Sequence, residues 1–281
     1  MSTTLVSVEE LARHLDDAQW VVCDCRHDLA EYAAGRRAYA EGHIPGARFV
    51  HLDEDLSGPK TGLNGRHPLP HPHTFALRLG ALGIDAGKQV VGYDASGGPY
   101  AARLWWMLRW LGHTRAAVLD GGWDAWKAAG LPITTQTPQI EPTTYTPRTR
   151  GDVSVDTAFV ASHLGDAAVT VVDARSPDRF RGENETLDPV AGHIPGALNR
   201  FFKDNLGANG TFKSREVLAR ELGTLLGGRA PKSVVHQCGS GVTACHNLLA
   251  MEHAGLGGSR LYPGSWSEWV SDRARPVERS L

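Results

Sequence analysis

The chain has 281 residues, 41% of them hydrophobic and 21% charged, and a formal net charge of −2. That length suggests two domains and that composition a globular core, while near-neutrality removes the electrostatic case for nucleic acid or an anionic membrane as partner. No apolar run approaches the ~20 residues of a membrane span, residues 1–10 lack the basic start and apolar stretch of a secretory signal, and four cysteines make no disulfide framework. A reducing, cytoplasmic setting is expected, with thiols available for chemistry.

In chain order, Val21-Val22 reads as a buried strand running into Cys23-Asp24-Cys25-Arg26, and Gly42-His-Ile-Pro-Gly-Ala47 follows. A second strand, Val90-Val91, runs into Asp94; residues 101–111 have helical spacing; Val118-Leu119 forms a third strand before Gly121-Gly-Trp123. Residues 133–151 carry seven threonines and three prolines with no apolar period, the mark of an extended connector. Then the series returns. A strand at 169–172 ends in Asp173-Ala-Arg175, Gly192-His-Ile-Pro-Gly-Ala197 repeats letter for letter, Val234-Val235 runs into Cys238, and Gly264-Ser-Trp266 closes the copy. Four ordered matches displaced by roughly 143 to 150 residues mark a tandem duplication. The expected domains are 1–132 and 151–281, joined by a linker at 133–150. β-Branched runs alternating with helical patterns predict an α/β fold in each, a mostly parallel sheet flanked by helices. Ligands in such folds lie beyond the carboxyl ends of strands, at the loops 94–99 and 238–243.

The second loop reads Cys238-Gly-Ser-Gly-Val-Thr-Ala-Cys245. A cysteine ends a strand, two glycines permit tight curvature, and a helix begins near Thr243, so the amides of Gly239, Ser240, Gly241, Val242 and Thr243 can turn inward around the sulfur. Helix-start amides add about half a positive charge, and such settings can bring a cysteine pKa from about 8.5 to roughly 3.5–7.5. The expectation is a nucleophilic thiolate that can also hold a charged persulfide.

With Asp-x-Arg, the paired Gly-His-Ile-Pro-Gly-Ala segments, this loop and the closing Gly-x-Trp elements, the chain resembles the two-domain rhodanese-type sulfurtransferases over nearly its whole length. Cys238-Gly-Ser-Gly-Val-Thr-Ala244 is similar to the active-site loop of the 3-mercaptopyruvate branch. The resemblance implies two rhodanese-like domains with the catalytic cysteine in the second. The first copy has Asp94 at that place, a carboxylate that cannot accept sulfur, and Pro99 removes one loop N–H. It also implies a two-step cycle without metal or organic cofactor, in which Cys238 takes sulfur from a small-molecule donor and passes it to cyanide, a small thiol or a thioredoxin-like protein.

For the donor, the five residues after Cys238 include no Lys or Arg, which disfavours the dianion thiosulfate and favours a keto acid. Ser240 can hydrogen-bond the keto oxygen. Arg179 matches a family arginine that pairs with the substrate carboxylate. A second such arginine stands about nine positions later in the 3-mercaptopyruvate branch; Asp188 occupies that place here, and Arg181 has the wrong spacing. Thiosulfate is the alternative donor, and a persulfide carrier or sulfide sensor without turnover the non-enzymatic alternative. A phosphatase on this fold needs an arginine six residues after its cysteine, where this chain has Ala244.

The remaining candidates have blander readings. Asp24–Arg26 and Asp173–Arg175 are expected to be internal ion pairs. His193 repeats His43 and reads as structural, whereas His43 is open to a proton relay that the family can place on the first domain. The run His67-Pro-Leu-Pro-His-Pro-His73 reads as a surface loop. Cys245 reads as a packed helix cysteine, Cys23 and Cys25 as strand residues facing opposite ways, and Trp105, Trp106 and Trp110 as packing between helix and sheet.

Overall fold

A computed structural model describes residues 3–279. They form two compact units: one runs to Gly58 and takes in Pro70–Arg150 and Ala208–Thr211, and the other comprises Pro59–Leu69, Gly151–Gly207 and the chain from Phe212 onward. The first unit thus runs past residue 132 to Arg150, and Gly151 opens the main segment of the second. Residues 133–150 belong with the first unit because their backbone is tied to it: Thr143 and Arg148 donate N–H bonds to the carbonyls of Gly80 and Leu111, both at 2.9 Å, and Tyr145 is buried. A threonine- and proline-rich sequence gives extended chain but does not dictate whether it stays in solvent. Pro59–Leu69 belongs with the second unit, and this bears directly on the site.

The first unit holds an all-parallel sheet of β1 (Leu5–Val6), β2 (Trp20–Asp24), β3 (Arg48–Phe49), β4 (Gln89–Tyr93) and β5 (Ala116–Leu119), in the order β1-β5-β4-β2-β3. The second holds β6 (Thr170–Asp173), β7 (Leu198–Asn199), β8 (Val234–Gln237) and β9 (Arg260–Leu261), in the order β7-β6-β8-β9, also parallel. A single bridge from Ser154 to Leu261 stands where the first unit has β1. The central strands are apolar at successive positions because helices cover both faces. The two-residue strands were not legible, being too short to show a period. Helices Pro99–Trp110 and Thr243–His253 follow β4 and β8 directly and are almost wholly buried. No helix among the described residues is long and apolar enough to cross a membrane.

Three of the four repeated motifs meet at one buried clamp in each unit. In the first unit Arg26 grips Asp24 at 2.6 Å, donates to the Gly42 carbonyl at 2.6 Å and lies 4.4 Å over the Trp123 ring. In the second Arg175 grips Asp173 at 2.7 Å, donates to the Gly192 carbonyl at 2.8 Å and lies 4.7 Å over Trp266. Each arginine thereby fastens a strand end, the Gly-His-Ile-Pro-Gly-Ala turn and the closing tryptophan together. Removing one member of such a buried pair typically costs about 3–5 kcal/mol.

At the end of β4 the Asp94 carboxylate fills its own loop. Oδ1 accepts the N–H groups of Ser96 and Gly98 at 2.8 and 2.9 Å, and Oδ2 those of Tyr100 and Ala101 at 2.9 and 3.0 Å. The cradle is therefore already occupied by an anion of the chain itself. We expect Asp94→Ala, which strips four buried amides of their acceptor, to destabilise the first unit by about 2–4 kcal/mol, read as a lower urea midpoint; a loss under 1 kcal/mol would show that these bonds are dispensable.

Candidate active site

β8 carries the chain into Cys238, which is 2% exposed. The loop carbonyls of Cys238 and Gly239 are turned to the 264–267 turn, where they accept the N–H groups of Trp266 and Ser267 at 2.9 Å. Of the five loop amides expected around the sulfur, one donates to it among the described residues: the Gly241 N–H meets Cys238 Sγ at 3.2 Å. Gly241 has φ +77°, and a Cβ there would overlap the Pro263 carbonyl oxygen, so only glycine fits. The helix Thr243–His253 starts directly after the loop.

Ser265 is a functional residue that the sequence reading missed. It is the one non-glycine residue with positive φ among those described, at +54°, and it is fully buried. Its hydroxyl accepts the Cys238 N–H at 3.1 Å and donates to the Tyr262 carbonyl at 2.9 Å. The corresponding residue of the first copy is Gly122, with φ +56°. The second unit thus accepts a left-handed serine where glycine would be relaxed, and gains an acceptor for the cysteine's amide. The signal was the change from Gly-Gly-Trp to Gly-Ser-Trp between the copies.

Two arginines stand over the loop. A methyl group on Gly239 would lie 2.8 Å from Nη2 of Arg66 and 3.7–3.8 Å from the terminal nitrogens of Arg179. Arg179 is gripped by Glu185 through Nε at 3.2 Å and Nη2 at 2.8 and 2.9 Å. Burial opposes the Glu185 charge, but bonds from Arg179 and from the Leu187 and Asp188 amides hold its carboxyl below the usual range. Arg66 was not expected here. Its Nη1 pairs with Asp188 and its backbone N–H donates to Ser267 Oγ at 3.0 Å. Burial raises the Asp188 carboxyl above its ordinary value despite Arg66. Arg175, left outside the site by its structural role, also contacts Glu185 at 3.2 Å. Burial works against its charge, but Asp173, Glu185 and Cys238 together raise its pKa.

The histidines need correction. His67 is not on a surface loop: it is 6% exposed, and its Nδ1 lies 2.7 Å from Ser240 Oγ. Pro59–Leu69 carries it into the second unit, which the local sequence could not reveal. His43 does not have the environment of a relay. Its ring stacks on Tyr39 at 3.8 Å, and its nitrogens face the carbonyls of Tyr39 and Gln136 at 2.8 and 3.2 Å. His193 stacks on Phe180 in the same way, at 3.8 Å, with Nδ1 facing the Phe180 carbonyl at 2.7 Å. His236, on β8, has neither ring nitrogen hydrogen-bonded among the described residues, and burial lowers its pKa to about 3, so it stays neutral and brings no charge to the sulfur.

The other thiols are set apart. Cys245 is fully buried and donates its S–H to the Gly241 carbonyl at 3.3 Å, packing the helix against the loop. Burial pushes the Cys23 thiol up to about 12 and raises the Cys25 thiol well above its ordinary value. Ligand atoms of His27, His51 and Asp53 lie within 4.8 Å of one another. The His51 Nδ1 already accepts the Asp53 and Glu54 amides at 3.1 and 3.3 Å, and its Nε2 faces the Tyr32 carbonyl at 3.0 Å, so a metal there would have to displace existing bonds.

Comparison with known proteins points the same way. The rhodanese-like domain family matches residues 7–129 and again 156–272. A Pseudomonas aeruginosa protein named a probable 3-mercaptopyruvate sulfurtransferase is 47% identical, covering 98% of each chain. A Mycobacterium tuberculosis relative whose name provisionally assigns thiosulfate sulfurtransferase activity is 38% identical, covering 98% of this chain and 96% of its own. The solved 3-mercaptopyruvate sulfurtransferase of Leishmania major superposes with a TM-score of 0.85 at 34% identity, covering 98% of this chain and 75% of that one.

Ser265 yields a ranking. Ser265→Ala and Ser265→Gly both leave the Cys238 amide without its acceptor, but only glycine relieves the left-handed backbone, a difference of about 1 kcal/mol. Stability measured by urea unfolding should therefore fall in the order serine, glycine, alanine; an alanine variant as stable as the serine parent would show the hydroxyl to be idle.

Proposed function

The chain belongs to the rhodanese-like family of sulfurtransferases, and we propose that it moves sulfur from 3-mercaptopyruvate to a thiophilic acceptor through a persulfide on Cys238. The observation that carries this reading is the Gly241 N–H aimed at Cys238 Sγ at the end of β8, in a loop whose two leading carbonyls are tied elsewhere. A hydrogen bond to sulfur strengthens when the sulfur is charged. The same donor serves a thiolate before the transfer and a persulfide after it.

In the first step Cys238 Sγ attacks the donor's sulfur. The new S–S bond forms as the donor's C–S bond breaks, and its electron pair passes into the enolate of pyruvate, which takes a proton at carbon. Ser240, 6% exposed and bonded to His67, supplies a hydroxyl for the enolate oxygen, where negative charge develops. The pair also gives a route for the proton, with His67 as the partner that Ser240 meets. In the second step a thiolate or cyanide attacks the outer sulfur, and Cys238 leaves as thiolate. Two half-reactions through one covalent intermediate give ping-pong kinetics. Cyanide, a small thiol and a thioredoxin-like protein are all chemically competent acceptors.

Charge favours the keto acid over thiosulfate. Around the loop, Arg66, Arg175 and Arg179 stand against Asp173, Glu185 and Asp188, so the cationic groups are already balanced. A second negative charge on the donor would face Cys238 without a counter-ion, and two like charges about 4 Å apart repel by about 4 kcal/mol in a partly buried setting.

We expect 3-mercaptopyruvate to give at least tenfold higher kcat/KM than thiosulfate in a steady-state assay with cyanide as acceptor. Equal or reversed preference would transfer the assignment to thiosulfate. Intact-mass measurement after donor exposure should show a sulfur adduct on Cys238, lost in Cys238→Ser and kept in Cys245→Ser; absence of the adduct in the unsubstituted protein would overturn the reading itself.

A further inference from the structure

We infer that Ser267 is a positioning residue for the donor half of the reaction: its hydroxyl registers the Pro59–Leu69 segment on the cysteine loop, so that His67 meets Ser240. This rests on the sulfurtransferase reading of the same site and on the part given there to Ser240. Ser267 lies in the short helix Ser265–Trp269. Its backbone N–H donates to the Gly239 carbonyl at 2.9 Å. Its hydroxyl accepts the Arg66 N–H at 3.0 Å and donates to the Gly264 carbonyl at 3.2 Å. One residue therefore holds the loop through its main chain and the segment through its side chain. Both grips bear on the same contact: Gly239 precedes Ser240, Arg66 precedes His67, and Ser240 Oγ lies 2.7 Å from His67 Nδ1.

The segment has little else to fix its register. The described residues of Pro59–Leu69 form no helix or strand, so its place depends on individual ties. Gly65 has φ +82°, and a Cβ there would lie 2.8 Å from the Gly264 carbonyl oxygen and 3.1 Å from Ser267 Oγ, so segment and turn approach glycine to glycine. Four residues beyond Ser267, Ser271 Oγ donates to the Leu63 carbonyl at 3.3 Å. Of these two hydroxyl ties, only the one at Arg66 adjoins His67. Without it the Arg66 amide must find another acceptor, and the chain beside His67 moves with it. The two copies differ at this place: the first carries Asp124, an exposed acid that pairs with Lys127 at 3.0 Å. The hydroxyl thus belongs to the copy that bears the nucleophile.

Quenched intact-mass measurements read the formation of the Cys238 persulfide and its discharge separately. Ser267→Ala should slow formation from 3-mercaptopyruvate by about fivefold or more, because small misplacements of a supporting group are costly to an oriented reaction. Discharge to cyanide, started from protein loaded to completion, should stay within about twofold of the parent, a split that general loosening of the loop would not produce. Ser267→Thr, which keeps the hydroxyl, should form persulfide within about threefold of the parent rate. The decisive step is the cycle with Ser240→Ala: once that hydroxyl is gone, adding Ser267→Ala should slow formation by less than about twofold, since the two act through one contact. A Ser267→Ala protein that loads at the parent rate or slows equally in both half-reactions would overturn the inference. So would a threonine variant as slow as alanine, or the full alanine effect repeated in the Ser240→Ala background. A parent that acquires no sulfur from 3-mercaptopyruvate fails the sulfurtransferase reading and this inference with it, whereas one that does so with Ser267 indifferent fails only this assignment.

Discussion

The aspartate-to-arginine clamp at the ends of β2 and β6 is the constraint on which each unit depends. A guanidinium buried to 7% or 3% exposure needs its charge met and its donors satisfied. Asp24 or Asp173 meets the charge, the first glycine of Gly-His-Ile-Pro-Gly-Ala supplies a carbonyl, and a tryptophan face covers the plane. These demands explain why three scattered motifs recur together. They also set the active loop, since Trp266, held under Arg175, donates its N–H to the Cys238 carbonyl.

On that shared frame the two copies differ by a few atoms with large chemical consequences. In the first, the group that ends the strand is a carboxylate that collects four amides and leaves nothing for a guest. In the second, it is a sulfur that takes one amide and keeps a reactive face. The exchange of Gly122 for Ser265 belongs to the same divergence: left-handed backbone is tolerated in serine, at a cost of order 1–2 kcal/mol, because the hydroxyl ties down the amide of the nucleophile itself.

Much of this was legible from the sequence, and the rest was not for identifiable reasons. The duplication, the parallel sheets and the strand–cysteine–glycine–helix turn followed from local patterns: apolar runs, glycines at fixed offsets and a helix start at Thr243. What failed was anything that depended on a segment leaving its own copy. His67 and Arg66 sit among prolines and glycines that correctly signal a loop, but a loop's sequence does not record which body it packs on. Pro59–Leu69 joins the second unit and delivers both residues to the Cys238 loop. His43 is the opposite case: its repeated motif speaks for a structural role and only the family resemblance opens a relay, whereas its ring is consumed by stacking and by carbonyls.

The acidic residue at 188 shows how such an error propagates. Read along the chain, an arginine is missing and the donor assignment weakens. Read in space, the site carries as many guanidinium groups as acids, and the acid is what makes the imported arginine affordable: without Asp188, Arg66 and Arg179 would crowd like charges over one glycine. Pairing each base with an acid lowers the general attraction for anions and leaves recognition to the direction of the remaining N–H groups. A monoanionic carboxylate with a keto group beside it fits that directional site, and a compact dianion gains no excess charge from it. On the proposed function, selectivity rests on how the guanidinium forks are aimed, more than on how much positive charge surrounds the sulfur.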